Sequence, residues 1–161
     1  MDGHDFTFRQ AGQEDASVIM ELINQAFAIE LKYFSKERID LPGVTDHLQK
    51  GTFILAAAGG EPVGCVYTEL CGERGYFGLL AVAPSQQGRG LGSRLITEAE
   101  DLCREAGCSV MELRILHLRT ELPPYYEKLG YTVTGTEDHI PQDPSALQPY
   151  HFITMVKTIG E

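Results

Sequence analysis

Residues 80–95, "LAVAPSQQGRGLGSRL", join an apolar run to an amphipathic segment through a proline and three glycines, Gly88, Gly90 and Gly92. Glycine costs a helix about 1 kcal/mol relative to alanine and gives the unfolded chain more freedom to lose. Three of them between a strand and a helix need a reason. One physical reason is an anion. At such a turn successive backbone N–H groups converge, the helix N-terminus adds about half a positive charge, and no Cβ holds phosphate oxygens away. Arg89 and Arg94 add formal positive charge, and residues 84–95 contain no acid. The bland alternative is a glycine-rich turn with no ligand. A Walker loop is excluded, because no GxxxxGK followed by Ser or Thr occurs. A dinucleotide fingerprint also fails, because Ser93 stands where its third glycine belongs.

The segments around this loop set the fold class. "FTFRQ" (6–10) reads as a short strand, and "QEDASVIMELINQAFAIEL" places Ala16, Ile19, Leu22, Ile23, Ala26 and Phe27 at helical spacing. "SKERIDLPGVTDHLQKG" is expected to be a weaker helical region, broken at Pro42-Gly43 and ending near Gly51. Strand patterns over 52–58, 63–70 and 76–83 are separated by the turns "GGEP" and "CGERG", which predicts an antiparallel meander. Its third strand feeds the glycine loop. Beyond the loop, Leu91, Leu95, Ile96, Ala99, Leu102, Cys103 and Ala106 form an apolar helical stripe closed by Gly107. "SVMELRIL" (109–116) alternates as a strand, and "PPYYEKLGY" reads as a short helix from its prolines to Gly130. Strands follow over 131–136 and at "YHFITMVKTI". This order predicts a single α+β (mixed α/β) domain over residues 1–161, built on one central sheet.

Composition narrows the partners. With 13 basic and 23 acidic side chains the net charge is 13 − 23 = −10, which argues against a nucleic-acid or anionic-membrane binder and gives weak support to a cationic partner. No apolar run approaches the length of a membrane span. "MDGHDFTFRQ" lacks the basic and apolar regions of a signal peptide. Cys65, Cys71, Cys103 and Cys108 form no CxxC pair, so neither a zinc site nor a redox dithiol is indicated. Cys65 and Cys103 fall on apolar patterns and are expected in the core. Reduced thiols agree with the expected cytoplasmic location.

"LLAVAPSQQGRGLGSRLITEAE" resembles motif A of the GNAT superfamily of N-acetyltransferases, whose pattern (Q/R)xxGx(G/A) is matched by Gln87, Gly90 and Gly92. "YYEKLGYTVTG" resembles motif B, and "RQAGQEDASVIMELI" and "FITMVK" resemble the first and last elements, so the likeness spans nearly the whole chain. The resemblance implies the GNAT fold, a mostly antiparallel sheet splayed between the fourth and fifth strands and flanked by helices. It implies acetyl-CoA as co-substrate and no metal. By matched position Leu80, Ala81 and Val82 would lie along the pantetheine, with the backbones of Leu80 and Val82 pairing with its amides. The amides of Gln87, Gly88, Arg89, Gly90, Leu91 and Gly92, with Ser93 opening the helix, would cradle the pyrophosphate. The expected reaction is acetyl transfer to an amine of a small molecule or a protein. The alternative is an acyl-CoA-binding sensor or partner-binding module without turnover. Dimers are common in the superfamily, so a homodimer is the prior.

Acetyl transfer needs a neutral nucleophile, a polarised carbonyl and a proton for the leaving thiolate. The motif B register implies Tyr126 as the proton donor, while the adjacent Tyr125 points about 100° away on the same helix. The superfamily's frequent fourth-strand glutamate is absent from "YFGLLAVA", where Tyr76 lies near its place. Glu69 on the preceding strand is the choice of general base, ahead of Glu112, His117 and ordered water. Arg119, in "HLRTELPPYY", stands where many members carry an asparagine that contacts the cofactor. It reads as a partner for a coenzyme A phosphate, for an acidic acceptor, or as a surface arginine. The acceptor is expected between the first helical region and the loop before the last strand, near Phe27, Glu30, Tyr33, Phe34 and the surroundings of His139. Aromatic faces beside acids suit an organic cation.

Overall fold

The computed structural model describes residues 5–160. In the middle of the chain, β2 (Thr52–Ala58), β3 (Glu61–Cys71) and β4 (Arg74–Val82) form the antiparallel meander that the turn residues predict. Gly59 and Gly60, at φ of 58° and 86°, make the two-residue turn whose twist matches the strands it joins. β1 (Thr7–Gln10) adds to one edge beside β2. β5 (Val110–Leu116), β6 (Thr132–Glu137) and β7 (Phe152–Thr158) complete a seven-stranded sheet in the order β1-β2-β3-β4-β5-β7-β6. Every neighbouring pair is antiparallel except β4 and β5, which run parallel.

Strand alternation sorts the core into two layers. Phe53 and Leu55 of β2 pack with Cys65, Tyr67, Leu79 and Ala81 against α1 (Ala16–Ala26) and α2 (Leu41–Lys50). Ile54 and Ala56 point the other way, toward α3 (Leu91–Glu105), whose Leu91, Leu95, Ile96, Ala99 and Cys103 fill the second layer with Phe77, Met111 and Met155. Tyr126 of α4 (Leu122–Glu127) joins that layer. Cys65 and Cys103 are fully buried, as their patterns predict, and all four thiols are free. Among the described residues no helix is long and apolar enough to cross a membrane.

Three local expectations change. The first helical pattern is not one helix: α1 stops at Ala26, and its continuation is a separate 3-10 turn over Ala28–Lys32. Pro42-Gly43 does not break the second region but opens it. Asp40 caps α2 by accepting the Gly43 N–H at 2.8 Å, and proline is tolerated in a first turn where its missing N–H would have no partner. Ala106, assigned to the α3 stripe, is exposed, because the helix ends just before it. There Gly107, at φ 98°, donates to the Arg104 carbonyl at 3.0 Å while Cys108 donates to that of Cys103 at 2.9 Å.

The α3 stripe also buries a charge. Glu100 is 5% exposed, accepts the Tyr131 hydroxyl at 2.6 Å and takes Lys157 Nζ at 3.1 Å. These contacts tie α3 to the strand side carrying β7. Tyr131→Phe leaves the carboxylate with one partner fewer, and a hydrogen bond to a buried charge is worth about 2 kcal/mol. Urea denaturation is expected to show a loss of that size.

Candidate active site

β4 and β5 pair only through Arg74, Tyr76 and the glycine between them, opposite Val110–Glu112. Beyond Tyr76 and Glu112 the two strands separate. β4 also bulges: Cys65 faces Ala81 and Tyr67 faces Gly78, so Leu79 and Leu80 together oppose Val66 alone. Leu79 takes φ 51°, a left-handed conformation that costs a non-glycine residue about 1–3 kcal/mol and persists only where the surroundings enforce it. The buried Leu79 side chain, 7% exposed among α1-facing residues, supplies that enforcement. The bulge curves β4, and beyond Tyr76 the strand has no β5 partner, so Leu79 and Leu80 face the gap; the Leu79 carbonyl takes the Cys65 thiol at 3.8 Å.

The gap is a cleft of about 420 Å³. One wall is β4 from Tyr76 to Leu80 with Val82, and the other is β5 from Leu113 to Leu116. Gln87 and Gly92 stand at one end, and Leu122, Tyr125 and Tyr126 of α4 form the floor. A smaller chamber of about 160 Å³ adjoins it, sharing Phe27, Glu30, Arg38, Leu116 and Phe152.

Of the cofactor residues assigned from sequence, Leu80, Val82, Gln87 and Gly92 line the cleft directly. Ala81 and Leu91 turn their side chains into the two core layers, each 1% exposed, which leaves only their backbones available. Gly88, Arg89 and Gly90 form the exposed turn beside Gln87, and Ser93 follows in the first turn of α3. Gly88 and Gly90 hold φ of 82° and 77°, and a Cβ added at Gly88 would meet nothing within 4 Å. The turn is an open cradle. No side chain caps α3 at Gly90, so the first-turn N–H groups lack a side-chain acceptor there. Such a site fits a pyrophosphate. Arg94 does not join this turn: its guanidinium lies over the rings of Phe6 and Phe8, at 5.4 and 5.0 Å.

Tyr125 and Tyr126 diverge as adjacent helical residues must. Tyr125 is 38% exposed, and its Oη lies 3.0 Å from where a Cβ on Gly92 would be. Tyr126 is buried against Phe77, Tyr125 and Tyr131, with ring centroids at 6.0, 5.1 and 6.2 Å. Its hydroxyl has no hydrogen-bond partner among the described residues, and Tyr126 lines the cleft. Burial pushes its pKa well above the ordinary tyrosine range, which keeps the proton on the oxygen at neutral pH.

Glu69 does not line the cleft. Its carboxylate accepts the Tyr67 hydroxyl at 2.8 Å, and only its cross-strand neighbour Tyr76 reaches the cavity. Glu112 is held by Arg74 at 2.6 Å. His117 stacks on His151 at 3.9 Å and accepts the His151 N–H through Nδ1 at 3.1 Å. Neither of these side chains lines the cleft. Among the described residues no cluster of His, Cys, Asp and Glu could hold a metal ion.

Arg119 is neither a surface residue nor a neighbour of the glycine turn. Its Nη1 donates to Glu30 Oε2 at 2.8 Å and its Nε to Glu121 Oε2 at 2.8 Å. The Arg119 and Glu30 side chains are 14% and 11% exposed. The pair fastens the 3-10 turn after α1 to the segment entering α4. Of the other expected acceptor residues, Phe27 and Phe34 line the small chamber. Tyr33 does not, directing its hydroxyl to the Leu118 carbonyl at 3.5 Å, and Asp143, Ser145 and Tyr150 take the place assigned to the surroundings of His139. Arg114 escaped the sequence reading: it lies beyond the last residue that β5 pairs with β4, lines the cleft and stands 5.2 Å over the Tyr76 ring, while its backbone pairs with Thr154 of β7.

Burial raises the Glu30 pKa, against the opposing pull of Arg119 and Arg38. An acid whose folded pKa is raised costs stability while ionised, and the cost disappears as pH falls through that raised value. Removing one partner of a buried ion pair costs about 3 kcal/mol. Arg119→Gln is therefore expected to lose about that much stability near neutral pH and to regain part of it at acid pH, as Glu30 takes up a proton. Denaturation at the two pH values measures both.

Comparison with known proteins agrees with this geometry. The sequence profile of the acetyltransferase (GNAT) family matches residues 18–131. A Bacillus subtilis (strain 168) protein, itself only provisionally called an acetyltransferase, is 33% identical over 103 residues, 58% of this chain and 68% of its own. The fold is similar to that of the ribosomal-protein-S18-alanine N-acetyltransferase of Escherichia coli, with a TM-score of 0.79 at 16% identity over 98% of this chain and 96% of that one. It is also similar to yncA of Salmonella typhimurium, solved with its cofactor acetyl-CoA, with a TM-score of 0.73 at 19% identity over 97% and 95% of the two chains. With a profile match over more than two thirds of its length and a sheet that opens between β4 and β5, the chain belongs to the acetyltransferase (GNAT) family, the acetyl-CoA-dependent N-acetyltransferases.

Proposed function

We propose that the cleft carries acetyl-CoA along β4 and across the glycine turn, and that Tyr126 protonates the departing thiolate. The observation that carries this reading is convergence. A bulged strand that β5 leaves unpaired beyond Tyr76, an uncapped helix N-terminus and a tyrosine whose hydroxyl has no hydrogen-bond partner among the described residues all border one cavity. The backbones of Leu80 and Val82, with Ala81 between them, extend the pantetheine as an added strand would. Backbone N–H groups from Gln87 to Gly92, ahead of Ser93, hold the pyrophosphate, and Arg89 adds charge. Bound there, acetyl-CoA supplies the thioester. The protein orients it, excludes water from the Tyr126 end and gives the sulfur a proton.

The acceptor is an amine entering from the small chamber, which adjoins the cleft on the side of α1. A protonated Tyr126 lining the cleft favours turnover over a binding module, because a sensor has no use for a proton donor at the thioester. With Glu69 outside the cleft, the base lies elsewhere. The net charge of −10 and the four free thiols favour a cytoplasmic protein without nucleic-acid partners, and the family supports a homodimer.

Two variants test the reading. Tyr126→Phe is expected to lower amine-dependent coenzyme A release about 100-fold while acetyl-CoA still raises the melting temperature. An unchanged rate would remove Tyr126 from the chemistry. Gly90→Val forces a β-branched residue to φ 77°, a strain of about 1–3 kcal/mol, and fills the cradle. It is expected to weaken acetyl-CoA binding measured by calorimetry far more than it lowers stability.

A further inference from the structure

Glu30 occupies the junction of the two chambers. It belongs to the 3-10 turn Ala28–Lys32, is 9% exposed and lines both cavities. Only its Oε2 is engaged, by Arg119; its Oε1 takes no hydrogen bond among the described residues. Arg119 also serves Glu121, so two carboxylates share the one guanidinium that hydrogen-bonds Glu30, and Arg38 acts on Glu30 only at longer range. The other charges facing Glu30 are spoken for or stand at the rim. Arg38 is exposed and lies 5.6 Å over the Phe27 ring, and Lys36 and Glu37 are exposed on the same loop. Asp143 already accepts the N–H and hydroxyl of Ser145 at 2.8 and 2.7 Å, and its own N–H donates to the Tyr150 hydroxyl. A buried carboxylate oxygen that is unfilled and undercompensated calls for a cation.

The small chamber says what the cation carries. Phe27, Phe34, Tyr150 and Phe152 line it, with Tyr150 set edge-on to Phe34 at 5.1 Å and to Phe152 at 5.7 Å. Its 160 Å³ is close to the roughly 150 Å³ in which an apolar protein cavity holds benzene. Its walls are fixed. Ser35 donates to the Ser145 carbonyl and Leu147 to that of Tyr33, both at 2.8 Å, around the Phe34–Ala146 bridge.

We infer that Glu30 receives the acceptor's ammonium group and takes its proton, and that the acceptor is a primary amine whose other end is a phenyl-sized apolar arm seated in the small chamber. This rests on the acetyl-transfer reading of the cleft. The ammonium gives one proton to Glu30, which passes it to solvent. The freed nitrogen lone pair forms the C–N bond to the acetyl carbonyl carbon while the C–S bond breaks and sulfur keeps its electron pair. Tyr126 protonates that sulfur and recovers a proton from the second N–H the nitrogen loses. The products are the N-acetyl amine, coenzyme A and one proton. Burial makes Glu30 a stronger base than an exposed carboxylate, which suits this transfer. Arg119 is the positioning residue: it holds Glu30 and limits how far its basicity rises.

The test is coenzyme A release with 2-phenylethylamine and with n-butylamine across the acid and neutral pH range, for wild type, Glu30→Gln and Arg119→Gln. Melting with and without acetyl-CoA accompanies every protein. Burying the ring is expected to favour 2-phenylethylamine about 10-fold or more in kcat/KM. Glu30→Gln is expected to lower that kcat/KM about 100-fold and to abolish its fall at acid pH. Arg119→Gln is expected to move that fall to higher pH, because the cation that restrains the Glu30 pKa is gone. Equal rates for the two amines would overturn the inference. So would a Glu30→Gln enzyme within about threefold of wild type and with the same acid limb. If acetyl-CoA still stabilises wild type, acetyl transfer stands in both cases. If acetyl-CoA fails to stabilise wild type, the cofactor reading falls and this inference with it. Should Glu30→Gln not fold, the ring preference of wild type and the limb of Arg119→Gln decide, and an unmoved limb overturns it.

Discussion

β4 and β5 stay paired for three residues and then part, and the working part of this molecule depends on that parting. A closed sheet would satisfy the ladder groups of both strands, and buried backbone groups without partners cost free energy. Here β4 bulges at Leu79 and Leu80, and that part of the strand borders a cavity rather than β5. The sheet therefore offers an edge in its middle, where an extended amide-bearing ligand fits as another strand would. The same strand delivers the chain into the glycine turn, so the anion cradle sits at the end of that edge without further arrangement.

The other side of the cleft is held by charge rather than by a ladder. Arg119 joins the turn after α1 to the entry of α4 through two carboxylates. Alongside the Tyr33 hydroxyl on the Leu118 carbonyl, it links the small chamber to the helix carrying Tyr126. A buried pair of this kind adds little net stability, since desolvation offsets most of its attraction, but it fixes the geometry of what it joins. Glu30 is thereby kept at the junction of the chambers with one oxygen engaged and one not.

Much of this is legible in the sequence. Gly59-Gly60, Gly107 and Gly130 punctuate the chain where left-handed residues are required, and all three places are turns or helix ends. The strand, glycine turn and helix around Gln87–Ser93 and the short helix that carries Tyr126 also follow the order read from the sequence. The misreadings have physical causes. Pro42 looks like a breaker until Asp40 is seen capping the helix it opens. Glu69 shares a face with Tyr76, but its carboxylate is taken by Tyr67, two positions away on the same strand, a contact that alternation alone does not disclose. Arg94 lies in the cationic stretch by sequence, yet helical rotation carries it over the rings of Phe6 and of Phe8 on β1.

The sequence by itself determined the order of elements, the two faces of each strand, and a strand–glycine turn–helix unit suited to an anion. These depend on periodicity and on residues whose backbone preferences act locally. Only the tertiary structure decided that β5 turns Arg114 into a cavity, that Glu100 is buried with Tyr131 and Lys157, and that Glu30 meets Arg119 across eighty-nine residues of chain. Those outcomes depend on which strands stay paired and which separate. That balance is struck between elements distant in sequence, and no local pattern records it.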